Sequence, residues 1–371
     1  MITKLNIQNF KCFSNECEVV FSRFNVLYGK NGRGKSSVIQ SLLLLSQNIK
    51  KKDTLTNLSL KGHVIDLGSY TDVKNRYAED EFIRFRISTD VDDDLKMIYG
   101  KSSVGPTLLH LEDLWSGDKR LVSSVGTIDE DSEKVKNSSA MSGIKTLDFF
   151  RELRYVSANR RGPTNNEERQ DDFCRNDIGV NGERLINALA KQDYSFMEVF
   201  QDAMSFILSG ATIKVKEGRD DDDDVELLLD SADDSVGFKP SNVGYGYSFI
   251  LPIIFQTLVA EVGSTIIIEN PEAHLYPGAQ SRLVEWIVYV SNKKNLQIIL
   301  ETHSDHIING LRIAVKKGNL NRLDVTIQFL DRNSVNESPN ILTIKVDENG
   351  TLSNNPKDFM DEWTLQMLEL L

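Results

Sequence analysis

The chain has 371 residues, 40% of them hydrophobic, and a formal net charge of -12. That balance supports a substantial core in one large or two ordinary domains and disfavours a nucleic-acid binder working by blanket electrostatics. The longest apolar stretches, 42–45 and 249–255, fall far short of the roughly 18 residues a membrane span needs, which excludes a helical membrane protein.

Met1 runs straight into the alternating ITKLNIQNF with no basic leader, so the expected address is the cytoplasm. Cys12, Cys17 and Cys174 form no metal spacing and no even disulfide set, as expected of inert thiols in a reducing compartment. Residues 2–9 and 17–28 read as strands, and 35–48 as a helix. Between them, Gly29, Gly34, Lys35 and Ser36 match G-x-x-x-x-G-K-[ST], the P-loop pattern. Its backbone N–H groups wrap phosphates, the lysine reaches the β and γ oxygens, and the hydroxyl ligates magnesium. The candidate ATP contacts are therefore Gly29, Lys30, Asn31, Gly32, Arg33, Gly34, Lys35, Ser36 and Ser37, with Ser36 on Mg2+.

Past the helix, Lys50 to Lys52 reads as a solvated C-terminal turn that complements the helix dipole. With the Arg160-Arg161 pair it is a candidate for a small basic patch. From 59 to 127, short runs such as HVIDLGSY, EFIRFRIST, LKMIYG and TLLHLEDLW suggest an antiparallel subdomain. Residues 128–143 read as a polar, mobile loop. A helix is expected from 146, a strand at LRYVSAN, and helices over 182–208. The run Asp220 to Asp224, between ATIKVKE and VELLLD, reads as a solvated hairpin tip and not a metal site.

The last third alternates buried strand with amphipathic helix, as a parallel sheet covered on both faces requires. The fold class is α/β, with a mostly parallel sheet flanked by helices. The expected division is a discontinuous nucleotide-binding core at 1–48 and 241–330 and an antiparallel β subdomain at 49–145. A helical and β lobe with partner-contact loops occupies 146–240, and a strand and helix tail 331–371.

A P-loop enzyme needs a carboxylate at the end of a neighbouring strand and a group that orders the attacking water. STIIIENPEAHLYP offers both: Ile266 to Ile268 form the strand, Glu269 takes the magnesium-side position, and Asn270 and Glu272 follow. One strand further, His303 stands where it can reach a γ-phosphate, while His306 reads as a helix-start residue. A second glycine-rich helix start, with Gly244, Gly246 and Ser248, is more than one ATP needs from one chain. It fits the nucleotide of a second subunit, so that two chains sandwich two ATP molecules in a twofold homodimer.

This order of parts resembles the ATPases of the ABC superfamily, in the branch that includes SMC, RecF and the overcoming-lysogenization-defect (OLD) proteins. ITKLNIQNFKCF is similar to that branch's first strand, GKNGRGKSS to its Walker A, VGYGYS to its signature, IIIENPEAHLYP to its Walker B and D-loop, and ETHSDHIIN to its H-loop. DLGSYTDV, YVSANRRGP and the closing ILTIKVDENGTLSNNPKDFMDEWTLQMLELL resemble a narrower group of bacterial ATPases met in anti-phage defence operons.

The resemblance implies an ABC-type head, the cofactors ATP and Mg2+, and catalytic roles for Glu269, Glu272, Asn270 and His303. Two departures matter. Gly244 holds the usual signature serine position, which leaves Ser248 or backbone N–H groups for the opposing γ-phosphate. Asn270 stands where transporter ATPases carry the catalytic glutamate, so hydrolysis is expected to be slow unless Glu272 takes that role. The stretch after His303 is too short for the Toprim nuclease domain of OLD proteins. The expected function is therefore an ATPase controlling a separately encoded effector, a nuclease from a neighbouring gene in phage defence. Direct DNA binding, as in RecF relatives, is the alternative, and a transporter motor is disfavoured by the degenerate signature.

Overall fold

The computed structural model describes residues 1–52, 55–91, 94–123, 144–162, 165–217, 224–230, 237–360 and 362–370. In chain order the strands are β1 (Ile2–Gln8), β2 (Cys17–Val20), β3 (Phe24–Tyr28), β4 (Asn57–Ser59), β5 (Ile83–Thr89), β6 (Leu95–Lys101), β7 (Leu108–Ser116), β8 (Lys119–Ser123), β9 (Arg154–Val156), β10 (Asn166–Glu168), β11 (Thr212–Glu217), β12 (Asp224–Asp230), β13 (Thr265–Glu269), β14 (Gln297–Glu301), β15 (Val325–Asp331) and β16 (Asn340–Ile344). The helices are α1 (Lys35–Lys52), α2 (Tyr70–Val73), α3 (Thr146–Glu152), α4 (Leu185–Ala190), α5 (Tyr194–Leu208), α6 (Tyr245–Val259), α7 (Pro277–Lys294), α8 (Asp305–Lys316) and α9 (Glu362–Glu369).

Two compact units emerge, one of Met1–Leu153, Leu323–Lys345 and Leu352–Leu371, the other of Arg154–Arg322 and Val346–Thr351. In the first, an antiparallel sheet runs β2-β1-β5-β6-β7-β4, with β8 on β7. It takes in the two strands before the P-loop as well as the stretch after its helix. Alternation explains it: Leu5 and Ile7, Ile83, Phe85 and Ile87, and Leu95, Met97 and Tyr99 all point to one buried face. The same unit holds β3, paired in parallel with β15, which in turn carries β16 antiparallel. Phe24 to Leu27 of β3 and Val325 to Leu330 of β15 are continuously buried, the signature of strands covered on both faces.

The second unit contains β13 between β14 and β9, all parallel, and a three-stranded antiparallel sheet β10-β12-β11. Ile266, Ile267 and Ile268 are all buried, as in a strand covered on both faces. Ser304 caps α8, its hydroxyl accepting from the His306 and Ile307 N–H groups, which puts His306 in the first turn as expected.

Several local expectations change. The helix α1 continues to Lys52, so Lys50 to Lys52 belongs to its last turn, and Lys50 Nζ donates to the Leu153 carbonyl at 2.5 Å. HVIDLGSY forms no named strand. Ser69-Tyr70-Thr71-Asp72 is a capping box in which the Ser69 N–H donates to Asp72 Oδ2 at 2.8 Å, and it starts the single turn α2. Arg160 is 3% exposed and cannot belong to a surface patch. The cysteines are free, but Cys174 is exposed. The loop 128–143 and Asp220 to Asp223 lie outside the described residues, while the strands flanking that aspartate run, β11 and β12, do pair antiparallel. Among the described residues no helix is long and apolar enough to cross a membrane.

Candidate nucleotide site

In the first unit, β3 ends at Tyr28 and the chain turns through Gly29, Gly32 and Gly34, all at positive φ, before α1 begins at Lys35. At Gly29 a side chain would collide with the Leu330 carbonyl oxygen on β15, so glycine is fixed there by close approach as well as by its φ of 141°. Lys35 is only 3% exposed and its Nζ donates to the carbonyls of Gly29, at 2.8 Å, and Lys30, at 3.0 Å. The ammonium thus closes the loop on itself from inside.

The first turn of α1 carries no acidic residue of its own to compete with an anion at the positive end of its dipole. Lys30 and Arg33 pair outward with Asp358, at 2.8 Å, and Asp331, at 3.4 Å. Asn31 and Ser36 are exposed. Ser37 Oγ accepts from Cys12 Sγ at 3.7 Å. A glycine-rich nest of N–H groups, a buried lysine and an acid-free helix start fit a polyphosphate and its magnesium.

In the second unit, Glu269 ends β13, and its Oε2 accepts from the Tyr155 hydroxyl at 3.1 Å and the Ala158 N–H at 3.3 Å. Burial raises its carboxyl above the usual range, opposed by the Ala158 and Tyr155 hydrogen bonds and by the Arg160 charge. Burial first, then Glu269, pushes the Tyr155 hydroxyl up as well, so it stays a donor. Asn270 takes a left-handed φ of 45° while its N–H donates to the Glu301 carbonyl at 2.8 Å. Glu272 accepts from the Thr302 hydroxyl at 2.8 Å and from the His303 N–H at 2.9 Å. Sequence-predicted Glu269, Asn270, Glu272 and His303 therefore meet where β13 and β14 end, with the His303 ring exposed.

Because the Glu269 carboxyl is raised in the fold, its neutral form is the one the fold prefers. Its contribution is fully present below the unfolded carboxylate value and is lost as pH climbs through the folded one. Glu269→Gln keeps an acceptor for Tyr155 and Ala158 and removes that burden. The nucleotide-free variant should melt at or above wild type at pH 8, and the difference should vanish below about pH 4.3. Thermal unfolding at the two pH values in chelator-treated buffer checks it; a clearly lower Tm at pH 8 would contradict it.

The signature-like turn is in the same unit. Gly244 caps α6 with ordinary extended backbone, and Gly244 and Tyr245 are exposed, whereas Ser248 is 3% exposed and turned into the fold. At Gly246 a Cβ would sit 2.6 Å from the His274 carbonyl oxygen, so the helix start rests directly on the turn that follows Glu272. His274 packs against Phe249, with ring centroids 4.4 Å apart. An open cavity of about 360 Å³ is lined by Leu208, Gly244 to Tyr247 and His274 to Tyr276.

Sequence reasoning missed Tyr155, Thr302 and above all Arg160. Arg160 donates to the carbonyls of Glu269 and Asn270, and burial lowers its pKa to about 10 against the raising pull of Glu272 and Glu269. The one signal was YVSANRRGP, a strand followed by an arginine pair, which says nothing of which arginine turns inward.

The family described as "AAA domain, putative AbiEii toxin, Type IV TA system" matches residues 24–309. A family described as "Protein of unknown function (DUF3696)" matches residues 320–370. Among solved structures, an SMC head bound to the C-winged helix domain of ScpA is similar at 14% identity and a TM-score of 0.54, over 94% of this chain and 98% of that one. An SMC head domain with an extended coiled coil, bound to the C-terminal domain of ScpA derived from Pyrococcus furiosus, is similar at 12% identity and a TM-score of 0.54. It covers 100% of this chain and 98% of that one. At such identities the likeness is one of fold. No curated protein matches.

Proposed function

The chain belongs to the AAA-domain family matched over residues 24–309 and has the ABC-type P-loop fold of SMC heads; from this we propose a switch ATPase that clamps Mg-ATP between two copies of itself. In this reading ATP binding with slow hydrolysis controls a separately encoded effector, a nuclease in phage defence. The observation that carries it is Lys35, buried inside its own glycine loop at an acid-free helix start.

Gly29 to Ser37 would hold the phosphates, with Ser36 and Glu269 on the magnesium, whose charge would offset the negative charge developing on the phosphate oxygens. Glu272, Asn270 and His303 would order the water and the terminal phosphate. Slow turnover is supported by two features: the Asn270 amide cannot accept a proton, and both Glu272 oxygens already hold donors from Thr302 and His303. For the partner's ATP, the helix start at the exposed Gly244 and Tyr245 suits the role better than the buried Ser248. A protein partner is in keeping with the ScpA contacts of the SMC heads.

Direct nucleic-acid binding has one supporting feature, the row on the antiparallel sheet where Arg86 lies opposite Lys96 and Lys96 opposite Trp115. The net charge of -12 weighs against it. The purified chain should hydrolyse ATP weakly in a magnesium-dependent way, leave DNA and RNA intact, and bind neither at 150 mM salt. Cleavage of nucleic acid by the chain alone, abolished by substitutions within it, would overturn the two-component reading. Tight, steeply salt-dependent DNA binding would favour the alternative.

A further inference from the structure

Among the described residues Arg160 is the one buried arginine, and a buried guanidinium has to be given acceptors. Its bonds go to backbone and not to carboxylates: Nη1 donates to the carbonyls of Ser157, at 2.9 Å, and Glu269, at 2.6 Å, and Nη2 to that of Asn270 at 2.7 Å. Its Nε–H, also buried, meets no acceptor among the described residues. The guanidinium lies 5.6 Å from the ring centroid of Phe249, on α6.

Two consecutive carbonyls held by the two arms of one planar fork is a geometry that lysine cannot copy. It falls where the backbone needs help. Asn270 is in the left-handed region, a conformation that persists in a non-glycine residue when its surroundings over-determine it. Two residues on, Glu272 reaches Thr302 and His303, so a turn that relaxes at Asn270 re-aims that carboxylate as well. Phe249 lies one helical turn beyond Tyr245, where α6 begins at the signature-like turn.

We propose that Arg160 is a positioning residue for ATP hydrolysis: it locks the Glu269-Asn270 turn, thereby aiming Glu269 and Glu272, and ties that aim through Phe249 to the helix that starts at Gly244. The proposal rests on the ATPase reading above. It makes the hydrolytic carboxylates of a subunit responsive to what sits on that subunit's own signature-like turn, with Arg160 touching neither nucleotide nor metal.

The test compares Arg160→Ala, Arg160→Lys and Phe249→Leu with wild type. In the nucleotide-free protein, hydrogen–deuterium exchange of amides 270–275 should rise in both Arg160 variants. ATP affinity measured with a fluorescent analogue should stay within about threefold, while kcat falls ~10–100-fold, as when an outer-shell support is removed. Lysine should not restore the rate, and millimolar guanidinium should partly restore Arg160→Ala. Phe249→Leu, which keeps an apolar side chain there, should lower kcat in the same sense with ATP affinity kept, and it serves if the arginine variants fail to fold. Unchanged exchange at 270–275 and unchanged kcat in a folded Arg160 variant would overturn the proposal, as would unchanged kcat in Phe249→Leu if only that variant folds. Should wild type neither bind nor hydrolyse ATP, the ATPase reading fails, and the role in hydrolysis fails with it. Exchange in the nucleotide-free protein then still reports whether Arg160 holds the turn.

Discussion

Replacing Lys35 with alanine is expected to weaken ATP binding at least about 100-fold, about 2.7 kcal/mol, with the fold intact. The side chain is already in place: it is buried, and its ammonium is held by the Gly29 and Lys30 carbonyls at the centre of the loop. Little ordering remains to be done when an anion arrives, which is what makes a single lysine worth so much there. Its removal leaves two carbonyls to find other donors, with a stability loss of about 1–3 kcal/mol for a buried acceptor left unpaired. Circular dichroism should therefore show a folded protein with a lowered Tm, and calorimetry should show ATP binding lost. ATP affinity within threefold of wild type in the folded variant would contradict the assignment of Gly29 to Ser37 as the phosphate site.

The second large effect is expected at the helix start of α6. Gly244 has φ -62° and ψ 140°, open to any residue, and the nearest atom to a Cβ built there is 3.9 Å away, on Tyr247. An arginine at 244 can therefore be accommodated by the monomer. Gly246 offers no such separation, because a Cβ there meets the His274 carbonyl oxygen at 2.6 Å. Gly244→Arg should leave ATP affinity at the P-loop within about twofold and weaken ATP-dependent self-association at least ~50-fold. A bulky side chain in the middle of an ATP sandwich costs several kcal/mol of closure. If ATP binding at the P-loop falls as severely as association, Gly244 belongs to the same subunit's nucleotide site instead.

What the sequence made legible follows the range of the interactions involved. The P-loop is a local device, fourteen residues of strand, glycine turn and helix, and each of its parts could be read in place. The buried triplet Ile266 to Ile268 and the alternation in β1, β5 and β6 were equally local, because burial on two faces or one writes itself into the period of the pattern. The one-turn helix at Tyr70 rests on the capping box of Ser69 and Asp72, which stops the run HVIDLGSY from continuing as a strand.

Arg160 could not be read at all. Its role depends on carbonyls 109 and 110 residues away and on a ring on α6, and the dipeptide Arg160-Arg161 looks the same whether one arginine turns inward or both face water. The engagement of Glu272 by Thr302 and His303 was hidden for the same reason, since it joins the ends of two strands some thirty residues apart.

In the proposed switch, Mg-ATP closes two copies of this chain on each other. Sedimentation velocity of the wild-type protein, with magnesium and a slowly hydrolysed ATP analogue, tests it most directly. The expected result is a monomer without nucleotide or with ADP, a dimer with the ATP analogue, and monomers under all conditions for Lys35→Ala and Gly244→Arg. A wild-type protein that binds the analogue and stays monomeric at tens of micromolar would contradict it, as would a dimer that forms equally well in Lys35→Ala.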